Sequence, residues 1–185
     1  MFIKDLYKFF IKKNNIMELE QNYRAQDTYT KIVEYFKDDV KNDIVIICIG
    51  TNRTDTIDAL GPFVGSLLKE DKDFRIPVYG SLVDPIHAKN LTERIREIKN
   101  KHLNSTIIAI DACLGCKEDI GKIILKDTYI EAGRGIGKCY AKVGDKCIKC
   151  IMAEYGVDVV EYYADLNFIS TMAHIIAKGL KEVFK

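Results

Sequence analysis

Two aspartates carry the strongest chemical signal in this chain. Asp58 stands in Thr56-Ile57-Asp58-Ala59-Leu60-Gly61-Pro62, and Asp111 closes the apolar run Thr106-Ile107-Ile108-Ala109-Ile110. Carboxyls brought close together raise each other's proton affinity, so one holds a proton while its neighbour stays ionised. Such a pair can activate water or bind a divalent metal ion. Taken singly, each acid has a plainer account, Asp58 as a helix N-cap and Asp111 as a strand-end turn residue. A helix N-terminus favours the ionised form of Asp58, which leaves Asp111 as the better holder of a shared proton.

Other groups could serve the same centre. His87 is able to orient a carboxylate or ligate a metal, although a lone histidine is more often structural. Arg53 either neutralises or steers one acid or is simply an exposed residue. The glycine-rich segment Gly133 to Lys138 lacks the four-residue gap and Lys-Ser/Thr ending of a phosphate-binding loop. Gly133 and Gly135 instead suit a close approach of backbone to the acids or to a bound peptide, and Lys138 is a solvated loop lysine or a contact for a substrate carboxylate. Two Cys-x-x-Cys pairs, Cys113/Cys116 and Cys147/Cys150, offer four thiolates for structural zinc. Their separation exceeds the usual ribbon spacing, and strand alternation turns Cys147 and Cys150 to opposite faces. Buried packing is the favoured account, with Cys113 reactive beside Asp111, and no metal is assigned. No Ser-His-Asp or Cys-His arrangement can be assembled.

The elements that must position these groups follow a regular rhythm. Ile44 to Ile49 is a short, wholly apolar run ending in Gly50, as in a strand buried on both faces. A loop over Thr51–Ile57 leads to a helix from about Asp58 to Glu70. Next come a strand over Pro77–Leu82, a charged helix from Ala88 to His102 and a strand over Thr106–Ile110. This alternation predicts crossovers and a parallel central sheet. Ligands gather beyond the carboxyl ends of such strands, where both aspartates fall. Strands are expected at Gly121–Leu125 and Lys146–Met152, and a closing helix at Leu166–Phe184. Helices are also expected at Phe2–Lys12 and Thr28–Val40, with a polar hinge over Glu18–Gln26. The organisation expected is an N-terminal helical extension over 1–42 and an α/β domain over 43–185, folded as a three-layer α/β/α sandwich with a mostly parallel sheet.

Composition narrows the classes. At 185 residues, with 48% hydrophobic and 30% charged residues, one domain can bury its own core without staples. The net charge of +1, from 28 basic against 27 acidic residues, gives no electrostatic case for nucleic-acid or membrane binding. No apolar run approaches the ~20 residues of a membrane span. The expected compartment is the cytoplasm, where the six cysteines stay reduced.

The ordered motifs resemble a known family. Cys48-Ile49-Gly50-Thr51-Asn52-Arg53, Asp58 to Pro62, Pro85 to Leu91, Ile108 to Gly115, Gly133 to Lys138 and Val143-Gly144-Asp145 are similar to the YyaC-type sporulation proteins, relatives of the bacterial germination protease. The resemblance runs from about Asp43 to the C-terminus. It implies a phosphorylase/hydrolase-like fold and a peptidase whose catalytic pair is Asp58 and Asp111. Arg53, His87, Gly133, Gly135 and Lys138 then belong to substrate binding. The implied substrate is a protein or peptide, with small acid-soluble spore proteins as candidates, in the cytoplasm of the sporulating cell or spore. A homo-oligomer is left open. The hydrogenase maturation proteases share the fold and bind nickel through the equivalent acids, which would make Asp58 and Asp111 metal ligands; no cofactor is otherwise expected. Asn52 replaces an aspartate usual in the YyaC type, and this supports an alternative, a non-catalytic sporulation factor that binds a peptide or protein through the same cleft.

Overall fold

The computed structural model describes residues 18–132, 141–158 and 162–185. Eight strands and four helices follow in order: β1 Glu18–Asn22, α1 Thr28–Phe36, β2 Ile44–Cys48, α2 Leu60–Glu70, β3 Val78–Tyr79, α3 Leu91–Lys101, β4 Thr106–Gly115, β5 Lys122–Lys126, β6 Ile130–Ala132, β7 Ala141–Val143, β8 Lys146–Glu154 and α4 Leu166–Val183. Six strands form the central sheet in the order β1-β5-β8-β4-β2-β3. The ladders β2/β3, β2/β4 and β4/β8 are parallel, while β5 is antiparallel to both β8 and β1.

The sheet is covered on both faces, giving the expected three-layer sandwich. Ile44, Ile46, Cys48, Ile108, Ile110, Ile148 and Cys150 face one core, built with α1, α2 and α4. Val45, Ile47, Ile107, Ala109 and Cys147 face the other, covered by α3 and the β6–β7 hairpin. The period of two along each strand thus sorts one apolar run into two cores. Helix α4 buries Ile169, Met172, Ala173, Ile176, Leu180 and Val183, spaced three or four apart on one stripe.

The N-terminal portion differs from expectation. The polar stretch proposed as a hinge holds an edge strand: β1 pairs with β5 from Glu18↔Lys126 to Asn22↔Lys122. Its side chains are polar because they pair, Glu18 with Lys126 at 2.7 Å and Glu20 with Lys122 at 3.4 Å. Thr28 closes the following turn, its hydroxyl within donating distance of the Asn22 and Ala25 carbonyls. Helix α1 then buries Ile32 and Phe36 in the main core. The helix expected over Phe2–Lys12 lies outside the described residues.

Two strands also differ in length. β3 has only two residues because Gly80, at φ +83°, turns the chain against Cys48. β4 continues past Asp111 to Gly115, because β8 supplies a ladder partner beyond the point where β2 stops.

Candidate functional site

The connections around β2 reverse direction at one end of the sheet. From β2 the chain passes through α2 to β3 on one side, then through α3 to β4 on the other, and α2 and α3 lie on opposite faces. This reversal is a topological switch point, where ligands of open α/β sheets bind. Asp58 follows β2 in a 3₁₀ turn, Ile57–Ala59, at the entry to α2. Asp111 lies on β4 one residue beyond the last β2 pairing, Cys48↔Ile110.

Neighbouring residues fix both positions. Ile57, Ala59 and Leu60 are all buried around Asp58 and anchor its turn in the core. The Thr51 N–H donates to the Asp58 carbonyl at 3.0 Å, and the Gly50 N–H to Ile86 at 2.8 Å. Gly50 has φ +148°, and a Cβ there would overlap the Asp58 carbonyl oxygen and press on Pro62. Only glycine lets the turn close so tightly on the end of β2.

Neither acid performs the plain structural task its sequence position suggested. The N-cap of α2 is Ala59, with no side-chain capping bond. Asp111 is an interior strand residue, not a turn residue. Among the described residues no basic side chain lies within 4.0 Å of either carboxylate.

Both carboxyls are pushed toward the protonated form. Burial raises the Asp58 carboxyl above the usual range. Asp111 is driven well above it, first by burial and then by the charge of Asp58, while Lys149 and a bond from the Ala112 N–H act against this. Each residue still exposes part of its surface, so dense protein and a solvent opening meet at the pair. The order agrees with the sequence expectation that Asp111 is the better proton holder. Its cause is different, since desolvation and not a helix dipole dominates.

The remaining sequence candidates disperse. His87 lies one residue after the Ile49↔Ile86 bridge, near Gly50. Its Nδ1 accepts from the Lys89 N–H at 3.3 Å and its carbonyl receives Asn90 and Leu91 at the start of α3, so its visible work is to shape a turn. Arg53 is exposed and turns to Asp55 at 3.8 Å. Gly133, Gly135 and Lys138 lie outside the described residues. Cys147 and Cys150 face opposite cores, which separates the thiols a zinc site would need. The Cys113 thiol is pushed up to about 11, by burial and then by Asp111, so it is not the reactive thiolate that its place beside Asp111 suggested.

Paired carboxyls are also candidate metal ligands. Among the described residues, three His, Cys, Asp or Glu ligand atoms come within 4.8 Å of one another only at Cys116, Glu118 and Asp119. Asp58, Asp111 and His87 do not form such a set. The described residues therefore offer no three-ligand set at the two acids, and the chemistry below is written with the carboxyls alone.

One residue of the site was missed in the sequence. Lys149 is the β8 partner of Asp111 in the parallel ladder. The signal was a single lysine interrupting the apolar run Cys147-Ile148-Lys149-Cys150-Ile151.

Fold and site together define an α/β sandwich with paired acids at its switch point. The chain belongs to the family described as "Protein of unknown function (DUF1256)", whose model matches residues 20–179. It is 40% identical over 141 residues to "Uncharacterized protein YyaC" of Bacillus subtilis (strain 168), covering 74% of this chain and 67% of that protein. The match agrees with the YyaC-type resemblance of the motifs. No helix among the described residues is long and apolar enough to cross a membrane.

Proposed function

We propose that this protein is a peptidase-like hydrolase of the sporulating cell, acting on a protein or peptide substrate with Asp58 and Asp111 as its catalytic pair. One observation carries the reading. Two carboxyls lie at the switch point, Asp111 feels the charge of Asp58, both are displaced toward protonation, and neither is spent on a cap or an ion pair. Paired groups whose environments separate their proton affinities are the mark of acid–base work.

The assignment of roles follows from the order of proton affinity. Ionised Asp58 takes a proton from water as the water oxygen bonds to the scissile carbonyl carbon. The carbonyl electron pair moves to oxygen, giving a tetrahedral oxyanion. Protonated Asp111 then gives its proton to the amide nitrogen as the C–N bond breaks, leaving a carboxylic acid and an amine. Transfer of the captured proton from Asp58 to Asp111 restores the pair.

The test is cleavage of small acid-soluble spore proteins by wild type, Asp58→Asn and Asp111→Asn, with and without chelator. The expected result is cleavage by wild type, loss of at least about 10³-fold in kcat in either variant, and indifference to chelator. Loss on chelation would point to a metal mechanism. Folded wild type that cleaves nothing would favour the alternative, a factor that binds peptide through this cleft without turnover.

A further inference from the structure

The geometry points to Lys149 as a third catalytic residue, one whose ammonium holds the carbonyl oxygen of the substrate as negative charge develops on it. This rests on the paired-aspartate reading above and extends it to the group that any hydrolysis of a peptide bond requires.

Asp111↔Lys149 is a direct pairing in the β4/β8 ladder, so the two backbones lie ~4.8 Å apart and their side chains leave the same face of the sheet. Lys149 is an interior position: β4 flanks it on one side and β5, through Ile124, on the other. Its neighbours Ile148 and Cys150 are fully buried, whereas Lys149 itself is half-exposed at the same end of the sheet as the acids. A lysine among apolar residues in a central strand usually earns its place through an ion pair. The other lysines of this sheet do so: Lys122 with Asp119 and Glu20, Lys126 with Glu18, Lys146 with Asp39 and Asp127. Lys149 has no acid within 4.0 Å among the described residues, and the carboxyl beside it is the one that holds a proton.

The groups around it agree. Asp111 and Cys113 on β4 and Cys147 on β8 each feel the Lys149 charge, and Lys126 on β5 is neutralised by Glu18. The result is an unspent cation beside the proton-bearing Asp111 carboxyl, at a partly desolvated end of the sheet. A preorganised donor at that point stabilises an oxyanion far better than water does. Electron balance is unchanged: the pair that leaves the carbonyl bond settles on oxygen opposite Lys149 Nζ and returns when the C–N bond breaks.

The experiment compares full-length wild type, Lys149→Met and Lys149→Arg in two readouts. The first is steady-state cleavage of small acid-soluble spore proteins. Lys149→Met should lower kcat by about 10²–10³-fold with little change in KM, and Lys149→Arg should recover part of the loss. The second is the titration of Asp111 followed by its carboxyl carbon-13 resonance, which Lys149→Met should move to higher pH. A lesion that loosened the packing would expose Asp111 and move its titration the other way, to lower pH, so a fall in kcat without the upward shift overturns the proposal. Turnover of Lys149→Met at the wild-type kcat removes the lysine alone and leaves the aspartate pair standing. Wild type without turnover removes the peptidase reading, and this role with it.

Discussion

Asp111 is a residue kept against the interest of stability. Its ionised form is penalised by burial and by Asp58, so the folded state binds its proton more tightly than the unfolded chain does. The unfolded carboxyl titrates near pH 4. Above that pH the folded state carries more bound proton, so stability falls as pH rises through the window up to the folded value. Each unit of displacement is worth about 1.4 kcal/mol. Asp111→Asn should therefore raise the melting temperature at pH 7 by a few degrees, with the gain shrinking toward pH 4. A variant less stable than wild type at pH 7, checked by scanning calorimetry, would show that the carboxylate is instead a stabilising charge. Both acids stood out in the sequence because each ends or follows an apolar run. Lys149 did not, since its meaning depends on a β4/β8 register that no local pattern specifies. Arg53 shows the converse: a charge beside a motif, spent on Asp55.

At the scale of elements, the site depends on how tightly the turn after β2 folds back. Gly50 and Gly61 make this approach possible, Gly50 against the Asp58 carbonyl and Gly61 against the Ile49 carbonyl. Gly156 provides a control, with φ +96° but open space around it. Gly156→Ala should cost only the backbone strain, about 1 kcal/mol, whereas Gly50→Ala adds overlap for a total of about 2–5 kcal/mol. Urea denaturation of both variants measures the difference, and equal losses would mean that the close approach is relaxed cheaply. The described helices were readable from their apolar stripes, and the buried strands from their short, wholly apolar runs. The extension of β4 beyond Asp111 was not, because it follows from the unequal lengths of its neighbours β2 and β8. The β6–β7 hairpin, three residues a side, is too short to leave a periodic signature.

The whole molecule is more continuous than the sequence suggested. β1 completes the sheet beside β5, and α1 places Ile32 and Phe36 against α4. Phe36 contacts Phe184 with ring centroids 6.1 Å apart, tying the segment before β2 to the end of the chain. Asp39 in the turn after α1 meets Lys146 at 2.9 Å, and Lys146 also reaches Asp127 at 3.0 Å. A fragment of residues 43–185 should lose these contacts, strip one edge of the sheet and leave Lys146 without Asp39. Removing one partner of a buried pair and the α1 packing each cost about 3–5 kcal/mol, together comparable to the stability of a domain. The fragment should bind the dye ANS and lack a cooperative melting transition. A sharp transition near that of the full chain would restore the expected division at residue 42. Glu18–Asn22 escaped recognition as a strand because its charges, partnered across to β5, look in sequence like those of a solvated linker.

Asp58 and Asp111 should titrate as a coupled pair, with Asp111 holding the proton. The most direct measurement follows the aspartate carboxyl carbon-13 resonances of the full chain from pH 3 to pH 9, with Asp58→Asn and Asp111→Asn for assignment. The account predicts that Asp111 titrates well above the usual value near pH 4 and moves down when Asp58 becomes Asn. Two independent titrations near pH 4, each unaffected by replacing the other residue, would contradict it.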